Sequence, residues 1–220
     1  MCFYKILLVL ICGVTMACNA VESTAQSKTP SNKAIKVAAP TPQNEQIAVF
    51  AGGCFWGVEA VFEHTKGVTD VTSGYSGGTA KTANYEDVSN GTTKHAEAVQ
   101  IKFDSTKISY AQLLEVFFTV AHNPTELNRQ GPDVGAQYRS AIFYTNAEQQ
   151  QIATDFIAKK TTDKVFEEPI VTQIVALEKY YQAEKYHQDY LVNHPTERYI
   201  IVHDLPKLEN LRKTFPGLYR

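Results

Sequence analysis

The chain has 220 residues, with 21 Lys and Arg against 23 Asp and Glu, which gives a formal net charge of −2 at pH 7. Hydrophobic residues make up 44% and charged residues 20%, a composition that excludes a disordered, collagen-like or coiled-coil chain. Near-neutral charge without basic runs also argues against nucleic acid as a partner, because phosphate binding needs clustered Lys and Arg. The four cysteines are too few for a disulfide scaffold.

Residues 1–18 are typical of an export signal. The apolar run Ile6–Ala17 is too short to span a bilayer comfortably and has the right length for a signal core. A small residue, Ala17, precedes Cys18. This pattern resembles the bacterial lipobox, in which the cysteine is lipidated, although Thr15 stands where the lipobox usually has Leu, Val or Ile. An ordinary signal peptide cut near Ala17 or Ala20 is the alternative. We expect an exported protein of the bacterial envelope or periplasm, lipid-anchored to the membrane if Cys18 is modified.

A polar segment, residues 19–46, follows this signal. It contains no aromatic residue and is rich in Ser, Thr, Ala, Gln, Lys and Pro. Such a stretch buries too little apolar surface to offset the entropy lost on ordering. We therefore predict a flexible linker over 19–46 and a single folded domain over 47–220, long enough to bury roughly 70% of its unfolded surface.

Within the domain, strand and helix patterns alternate. Strands are predicted over residues 47–50, 68–75, 96–103, 139–144 and 170–175. Helices are predicted after Gly53, over 109–122, after a cap at Asn146, and over 181–191 and 208–214. Because no helical pattern separates strand 68–75 from strand 96–103, we expect an α+β fold with a mixed sheet covered by helices.

Cys54 lies between a Gly52-Gly53 turn and the start of a helix. The glycines allow a sharp turn, and the free N–H groups and positive dipole of a helix start favour a thiolate. These features indicate a nucleophile, whereas a small buried hydrophobe is the structural alternative. Phe55 and Trp56, on the first helical turn, are typical either of a core or of an apolar pocket wall beside the thiol.

Glu97 is the second candidate residue. On strand 96–103 it shares the core-facing side with three apolar residues, Val99, Ile101 and Phe103. Burial should raise the pKa of its carboxyl toward neutrality, as in a general acid; a strand-end glutamate that reaches solvent is the alternative. His95-Ala96-Glu97 also matches half of the zinc deaminase signature, but no cysteine follows Cys54 to complete it. We therefore expect no metal site.

Six motifs follow one another along the domain. They are, in chain order, GGCFWG at 52–57, GYSGG at 74–78, NYEDV at 84–88, HAEAV at 95–99, NRQGPDVGAQYR at 128–139 and YHQDYL at 186–191. Together they resemble the A-type peptide methionine sulfoxide reductases, over essentially the whole domain from Ile47 onward. The resemblance implies an α/β plait, a ferredoxin-like variant, and thiol-dependent reduction of the S epimer of methionine sulfoxide, free or in proteins.

The resemblance also implies roles for individual residues. Cys54 matches the nucleophile that attacks the sulfoxide sulfur and becomes a sulfenic acid, and Glu97 matches the acid. Tyr85 and Tyr138 match tyrosines that hydrogen-bond the sulfoxide oxygen. The residues that match the pocket for the substrate methyl group and its surroundings are Phe55, Trp56 and Asp133.

One feature departs from the family. Many members carry a C-terminal cysteine that condenses with the sulfenic acid, whereas residues 215–220 contain none. Cys2 and Cys12 would leave with the signal peptide, and a lipidated Cys18 has no free thiol. We therefore expect no bound cofactor and an external reductant, either a small thiol or a thioredoxin-like partner. We also expect a monomer that acts on oxidised proteins and peptides and so repairs oxidative damage.

Two other functions stay open on the sequence. A cysteine acyl-transfer enzyme would need a histidine base beside Cys54, for which His95 and His187 are the candidates. A non-enzymatic binding lipoprotein of the envelope would need no nucleophile at all. Otherwise His187 and His194 are expected to be surface or structural residues, because no third metal ligand lies at a useful spacing.

Overall fold

The computed structural model describes residues 44–220. The strands in this part of the chain are β1 (Glu45–Ala51), β2 (Val68–Ser76), β3 (Ala96–Asp104), β4 (Arg129–Gln130), β5 (Asp133–Val134), β6 (Ala141–Tyr144), β7 (Gln173–Ala176) and β8 (Tyr180–Gln182). The α-helices are α1 (Phe55–Glu63), α2 (Tyr85–Ser89), α3 (Tyr110–Val116), α4 (Ala147–Thr162), α5 (Tyr190–Asn193) and α6 (Leu205–Thr214). The predicted signal, Cys18 and nearly all of the predicted linker lie outside the described residues.

Six of these strands form one sheet in the order β7-β6-β1-β3-β2-β8, and β4 pairs with β5 in a separate ribbon. Neighbouring strands of the large sheet are antiparallel except β6 and β7, which are parallel. The sheet is therefore mixed, which confirms the predicted α+β class. The chain between β2 and β3 contains a short 3₁₀ turn and the five-residue helix α2. Neither is a crossover connection of the kind that joins parallel strands, in agreement with the antiparallel pairing of β2 and β3.

The main core lies between one face of the sheet and helices α1 and α3. Phe50 of β1 stacks on Phe117 at 4.8 Å between ring centroids and contacts Phe62 of α1 at 5.7 Å. All three rings are fully buried, and each such side chain contributes about 1.5–3 kcal/mol by leaving water. This packing fixes α1, and with it the turn that precedes α1, against the centre of the sheet.

Helix caps agree with the sequence pattern. The Ser109 side chain accepts a hydrogen bond from the backbone N–H of Gln112 at 3.2 Å, and the backbone N–H of Ser109 donates to Oε1 of Gln112 at 2.9 Å. Asn146 caps α4 by accepting from the Gln149 N–H at 2.9 Å. The helix predicted over 109–122 is α only to Val116 and continues as one π-helical turn over 117–121.

The helix predicted over 181–191 is wrong. Residues 180–182 form the edge strand β8 on β2, where the backbone finds hydrogen-bond partners in the sheet. A 3₁₀ turn at 185–187 and the short α5 follow, and Asp189 between them has a φ of 53°, which interrupts any helix. No helix within residues 44–220 has the length and apolar character needed to cross a membrane.

Candidate active site

The turn between β1 and α1 presents Cys54 as the residue that precedes the first helical position. Gly53 has a φ of 96°, a backbone conformation that residues with a side chain rarely adopt. A Cβ at Gly53 would lie 2.6 Å from Gln130 Cγ, and one at Gly52 would lie 2.8 Å from His122 Cγ. Both glycines are thus required by close packing, and the turn holds Cys54 in a fixed place with 8% of its surface exposed.

Glu97 reaches the same turn from the centre of the sheet. It lies on β3 opposite Tyr75, is 2% exposed, and its Oε2 accepts the backbone N–H of Phe55 at 3.1 Å. This bond satisfies one of the free N–H groups at the start of α1. Burial raises the pKa of the Glu97 carboxyl to about 8, and the bond to Phe55 opposes that rise. Glu97 therefore carries a proton at neutral pH. Through the Phe55 N–H it is bonded to the residue that follows Cys54.

The Cys54 thiol is also protonated in the site as it stands. Burial raises its pKa well above the usual value, and the carboxylates of Glu97 and Asp204 add to the effect. The backbone N–H of Trp56 and the ammonium of Lys207 act in the opposite direction. The helix start does favour the thiolate, as expected, through the Trp56 N–H, but desolvation of the substrate-free site outweighs this contribution.

Trp56 forms an aromatic wall beside Cys54. Its indole stacks on Tyr190 with 3.7 Å between centroids and meets the edge of Tyr199 at 5.9 Å. Its Nε1–H donates to Nδ1 of His187 at 3.1 Å. Because Nδ1 accepts this bond, the proton of the neutral imidazole is assigned to Nε2. Phe55, in contrast, is 1% exposed and packs into the main core.

The sequence offered His187 only as a candidate base for the acyl-transfer alternative and otherwise as a surface or structural residue, and its buried position beside Trp56 is a finding of the structure. It is 1% exposed and lies between Trp56 and Tyr85, with 4.4 Å between the His187 and Tyr85 ring centroids. Burial lowers its pKa, which keeps the ring neutral. Its location in the YHQDYL motif was the only available signal, because the sequence alone does not reveal that residue 187 packs on residue 56.

Tyr85 is half-buried at the first position of α2. Its backbone N–H donates to one carboxylate oxygen of Glu184 at 2.9 Å, while the other oxygen accepts from the Tyr75 hydroxyl at 2.8 Å. Burial raises the pKa of Tyr85, with further contributions from Glu97 and Cys54. The phenol therefore keeps its proton at neutral pH, and its pKa is coupled to both candidate reacting groups.

Tyr138, the second tyrosine that the resemblance assigns to the sulfoxide oxygen, is half-buried. It ends a 3₁₀ turn that Arg139 ties to the start of β3 by donating to the Lys94 carbonyl at 3.0 Å. Burial raises the pKa of the Tyr138 phenol, and the charges of Glu97, Asp133 and Cys54 add to this. Tyr138 is thus a second phenol that remains a hydrogen-bond donor at neutral pH.

Asp133 lies on the β4–β5 ribbon and accepts a short hydrogen bond from the Tyr199 hydroxyl. Asp133, Tyr199 and Cys54 line a cavity of about 120 Å³. The other residues that line it are Gln130, Gly131, Pro132, His203 and Lys207. Of the predicted residues, Cys54 and Asp133 thus line one cavity and Glu97 is bonded to the turn that carries Cys54. Phe55, Trp56, Tyr85 and Tyr138 do not line that cavity, and Cys18 lies outside the described residues. Tyr199, His203 and Lys207 were not singled out by the sequence.

The histidines proposed for the acyl-transfer alternative are engaged elsewhere. The His95 ring is bonded to the Thr79 carbonyl at 3.0 Å, and His187 accepts from Trp56. Within residues 44–220, neither makes a hydrogen bond to Cys54. The same part of the chain holds no group of three His, Cys, Asp or Glu side chains arranged for a metal.

Comparison with known proteins identifies the family of the chain. The family model for peptide methionine sulfoxide reductase matches residues 46–217. A Mesorhizobium japonicum protein, peptide methionine sulfoxide reductase MsrA 2, is 53% identical over 174 residues, which cover 79% of this chain and 89% of the relative. A Synechocystis protein of the same description is 50% identical over 80% of this chain and 82% of its own length.

Solved structures show the same fold. The reduced form of Mxr1 from Saccharomyces cerevisiae matches with a TM-score of 0.67 and 29% identity, over 74% of this chain and 92% of that one. Methionine sulfoxide reductase A of Corynebacterium diphtheriae matches with a TM-score of 0.62 and 32% identity, over 71% and 78%. This chain belongs to the A-type peptide methionine sulfoxide reductase family, and its enzymatic activity is the reduction of methionine sulfoxide.

Proposed function

We propose that the chain reduces the S epimer of methionine sulfoxide, free or in oxidised proteins, with Cys54 as nucleophile and Glu97 as acid. The observation that supports this most strongly is the bond from the Phe55 N–H to Glu97, which holds a buried, protonated carboxyl beside the thiol. A carboxyl with a pKa near the working pH is suited to deliver a proton in the transition state.

The protonation of the site matches the chemistry. Converting a sulfoxide oxygen to water takes two protons, and Cys54 and Glu97 each hold one at neutral pH. As Sγ bonds to the sulfoxide sulfur, these protons pass to the oxygen, the S–O bond breaks, and water leaves a sulfonium in which the methionine sulfur is bonded to Sγ. A water molecule then attacks Sγ, the S–S bond breaks with its electron pair on the methionine sulfur, and the proton released by that water returns to Glu97. The net change is thiol plus sulfoxide giving sulfenic acid plus thioether: the Cys54 sulfur is oxidised by two electrons and the methionine sulfur reduced by two.

The asymmetry of the site supports the choice of epimer. We assign the phenols of Tyr85 and Tyr138, which remain donors, to the sulfoxide oxygen, and Trp56 with Phe55 to the methyl group. Asp133, held by Tyr199, borders the same space. When the sulfur faces Cys54, exchanging the epimers exchanges oxygen and methyl. The wrong epimer would thus place an oxygen against the indole and leave both phenols without an acceptor, a large cost in a buried site.

For recycling we propose an external thiol, either small or thioredoxin-like. Residues 55–220 contain no further cysteine that could condense with the sulfenic acid. One thiol would attack Sγ to give a mixed disulfide and water, and a second would release a disulfide and regenerate Cys54.

The test is turnover of the separated S and R epimers with a dithiol reductant. The wild-type protein should reduce the S epimer only, and Cys54→Ser should reduce neither, because an alcohol of normal pKa is a poor nucleophile toward sulfur. Activity of Cys54→Ser would refute the mechanism, and equal rates on both epimers would refute the assignment of the phenols and the indole.

We further propose export to the bacterial envelope through residues 1–18, a linker over 19–46, and action as a monomer. The sequence pattern supports the first two, and a site built from residues of one chain supports the third. Intact-mass measurement of protein from the cell envelope, with size-exclusion chromatography, tests all three: retention of residues 1–17 would refute export.

A further inference from the structure

Asp204, the residue before α6, and Lys207 of α6 form an ion pair against the first turn of α1. The Nζ of Lys207 lies 3.2 Å from Oδ1 of Asp204. A Cβ at Gly57 would lie 2.1 Å from that same oxygen and 2.5 Å from Nζ. Only glycine therefore allows the pair to sit this close to the helix start that carries Cys54.

The pair is buried on the carboxylate side and open on the ammonium side. Asp204 is fully buried, and its Oδ2 has no hydrogen-bond partner among residues 44–220. The Lys207 side chain is 19% exposed and lines the cavity that contains Cys54. A buried carboxylate is costly, and pairing with a cation offsets part of that cost. Asp204 thus holds the ammonium at the cavity wall.

We propose that Lys207, held by Asp204, is a positioning residue that stabilises the Cys54 thiolate whenever that thiolate forms. Within the proposed function it forms twice. Sγ gives up its proton as it attacks the sulfoxide sulfur. Sγ is also the leaving group when a second external thiolate attacks the mixed disulfide, which breaks the Cys54 S–S bond and leaves the electron pair on Sγ. In both steps negative charge develops beside the ammonium.

The surroundings of Cys54 make this cation important. Some ionisable groups line the cavity with the thiol, and others interact with it electrostatically. Together they are Tyr85, Glu97, Asp133, Tyr138, Tyr190, Tyr199, His203, Asp204 and Lys207. Glu97 and Asp204 raise the pKa of Cys54, and Lys207 lowers it. The two partners of the ion pair thus shift the pKa of Cys54 in opposite directions. The direction in which the reactivity of the thiol changes when Lys207 is replaced therefore tests the proposal.

The experiment is the alkylation rate of Cys54 by iodoacetamide at pH 8, with the domain otherwise unchanged. Lys207→Met should slow alkylation by about three- to thirtyfold, because losing a nearby opposite charge raises the pKa of the thiol by about 1–3 and the higher nucleophilicity of the more basic thiolate offsets only about half of the lost thiolate fraction. Lys207→Gln should slow it to a similar extent. Lys207→Arg should stay near the wild-type rate.

The control is Lys213→Met. Lys213 lies on the same helix, is 67% exposed and pairs with Glu209, so its removal makes the same change in net charge away from the cavity. If Lys207→Met fails to fold by circular dichroism, Lys207→Gln, which keeps a polar group beside Asp204, decides: slower alkylation supports the proposal. No loss of alkylation rate in a folded Lys207→Met or Lys207→Gln overturns it. Alkylation needs no sulfoxide, so this outcome is independent of the proposed reductase mechanism.

Discussion

Replacing Glu97 with Gln separates the proposed acid role of this residue from its structural role. The amide keeps the size of the carboxyl and a carbonyl oxygen that can accept the Phe55 N–H, but it has no acidic proton. With a pKa of about 8, roughly nine-tenths of Glu97 is protonated at pH 7 in the wild-type protein. Methionine formation in a single turnover should therefore slow by about 10²–10⁴-fold in Glu97→Gln.

The same substitution should make the fold more stable. Burial raises the pKa of Glu97 from 4.5 to about 8. Between pH 4.5 and pH 8 the unfolded chain releases the Glu97 proton while the folded chain still holds it. The free energy of unfolding therefore falls as pH rises from 4.5 to 8. At pH 7 the cost is on the order of 3 kcal/mol. Glu97→Gln should raise the free energy of unfolding by up to this amount and flatten its dependence on pH between 5 and 8.

Glu59→Gln is the matched control. Glu59 is 1% exposed, its pKa is raised by burial to about 7, and it accepts the Ser73 N–H at 3.1 Å, yet it does not line the cavity. It should also flatten the pH dependence of stability while leaving single-turnover rates within about twofold. Chemical denaturation from pH 5 to 8 and rapid-quench assays measure both quantities. A near-wild-type turnover rate in Glu97→Gln, or an equal loss in Glu59→Gln, would refute the acid assignment.

Two further predictions concern the phenols and recycling. Tyr85→Phe and Tyr138→Phe should each lower kcat/KM for the S epimer by about tenfold or more through loss of a hydrogen bond to a developing charge, and an unchanged value for both would exclude them as oxygen donors. Without reductant, one equivalent of methionine should form per chain, leaving a Cys54 sulfenic acid that dimedone traps and mass spectrometry detects; a Cys18–Cys54 disulfide would contradict both lipidation and the external-thiol model.

Much of the site could be predicted because its signals are local. The need for glycine at 52 and 53, the position of Cys54 before a helix and the inward direction of Glu97 follow from turn chemistry and from the two-residue period of a strand. The caps at Ser109 and Asn146 depend on residues three positions away, so they too are readable in sequence.

Other features depend on contacts that sequence patterns do not contain. The segment over 181–191 has a helical pattern, but the free edge of β2 offers it hydrogen bonds that outweigh that preference. His187 looks like a surface residue until Trp56, 131 positions away, donates a hydrogen bond to it.

By itself, the sequence determined the reactive residue types, their order and the α+β class, because spacing and propensity act over a few residues. The tertiary structure alone decided their ionisation. The pKa of Cys54 depends on burial by the whole domain and on the charges of Glu97, Asp204 and Lys207. Desolvation and Coulomb interactions act through space. The start of α1 favours the Cys54 thiolate, but burial keeps the thiol protonated, and Lys207 of the last helix in the described chain lines the same cavity.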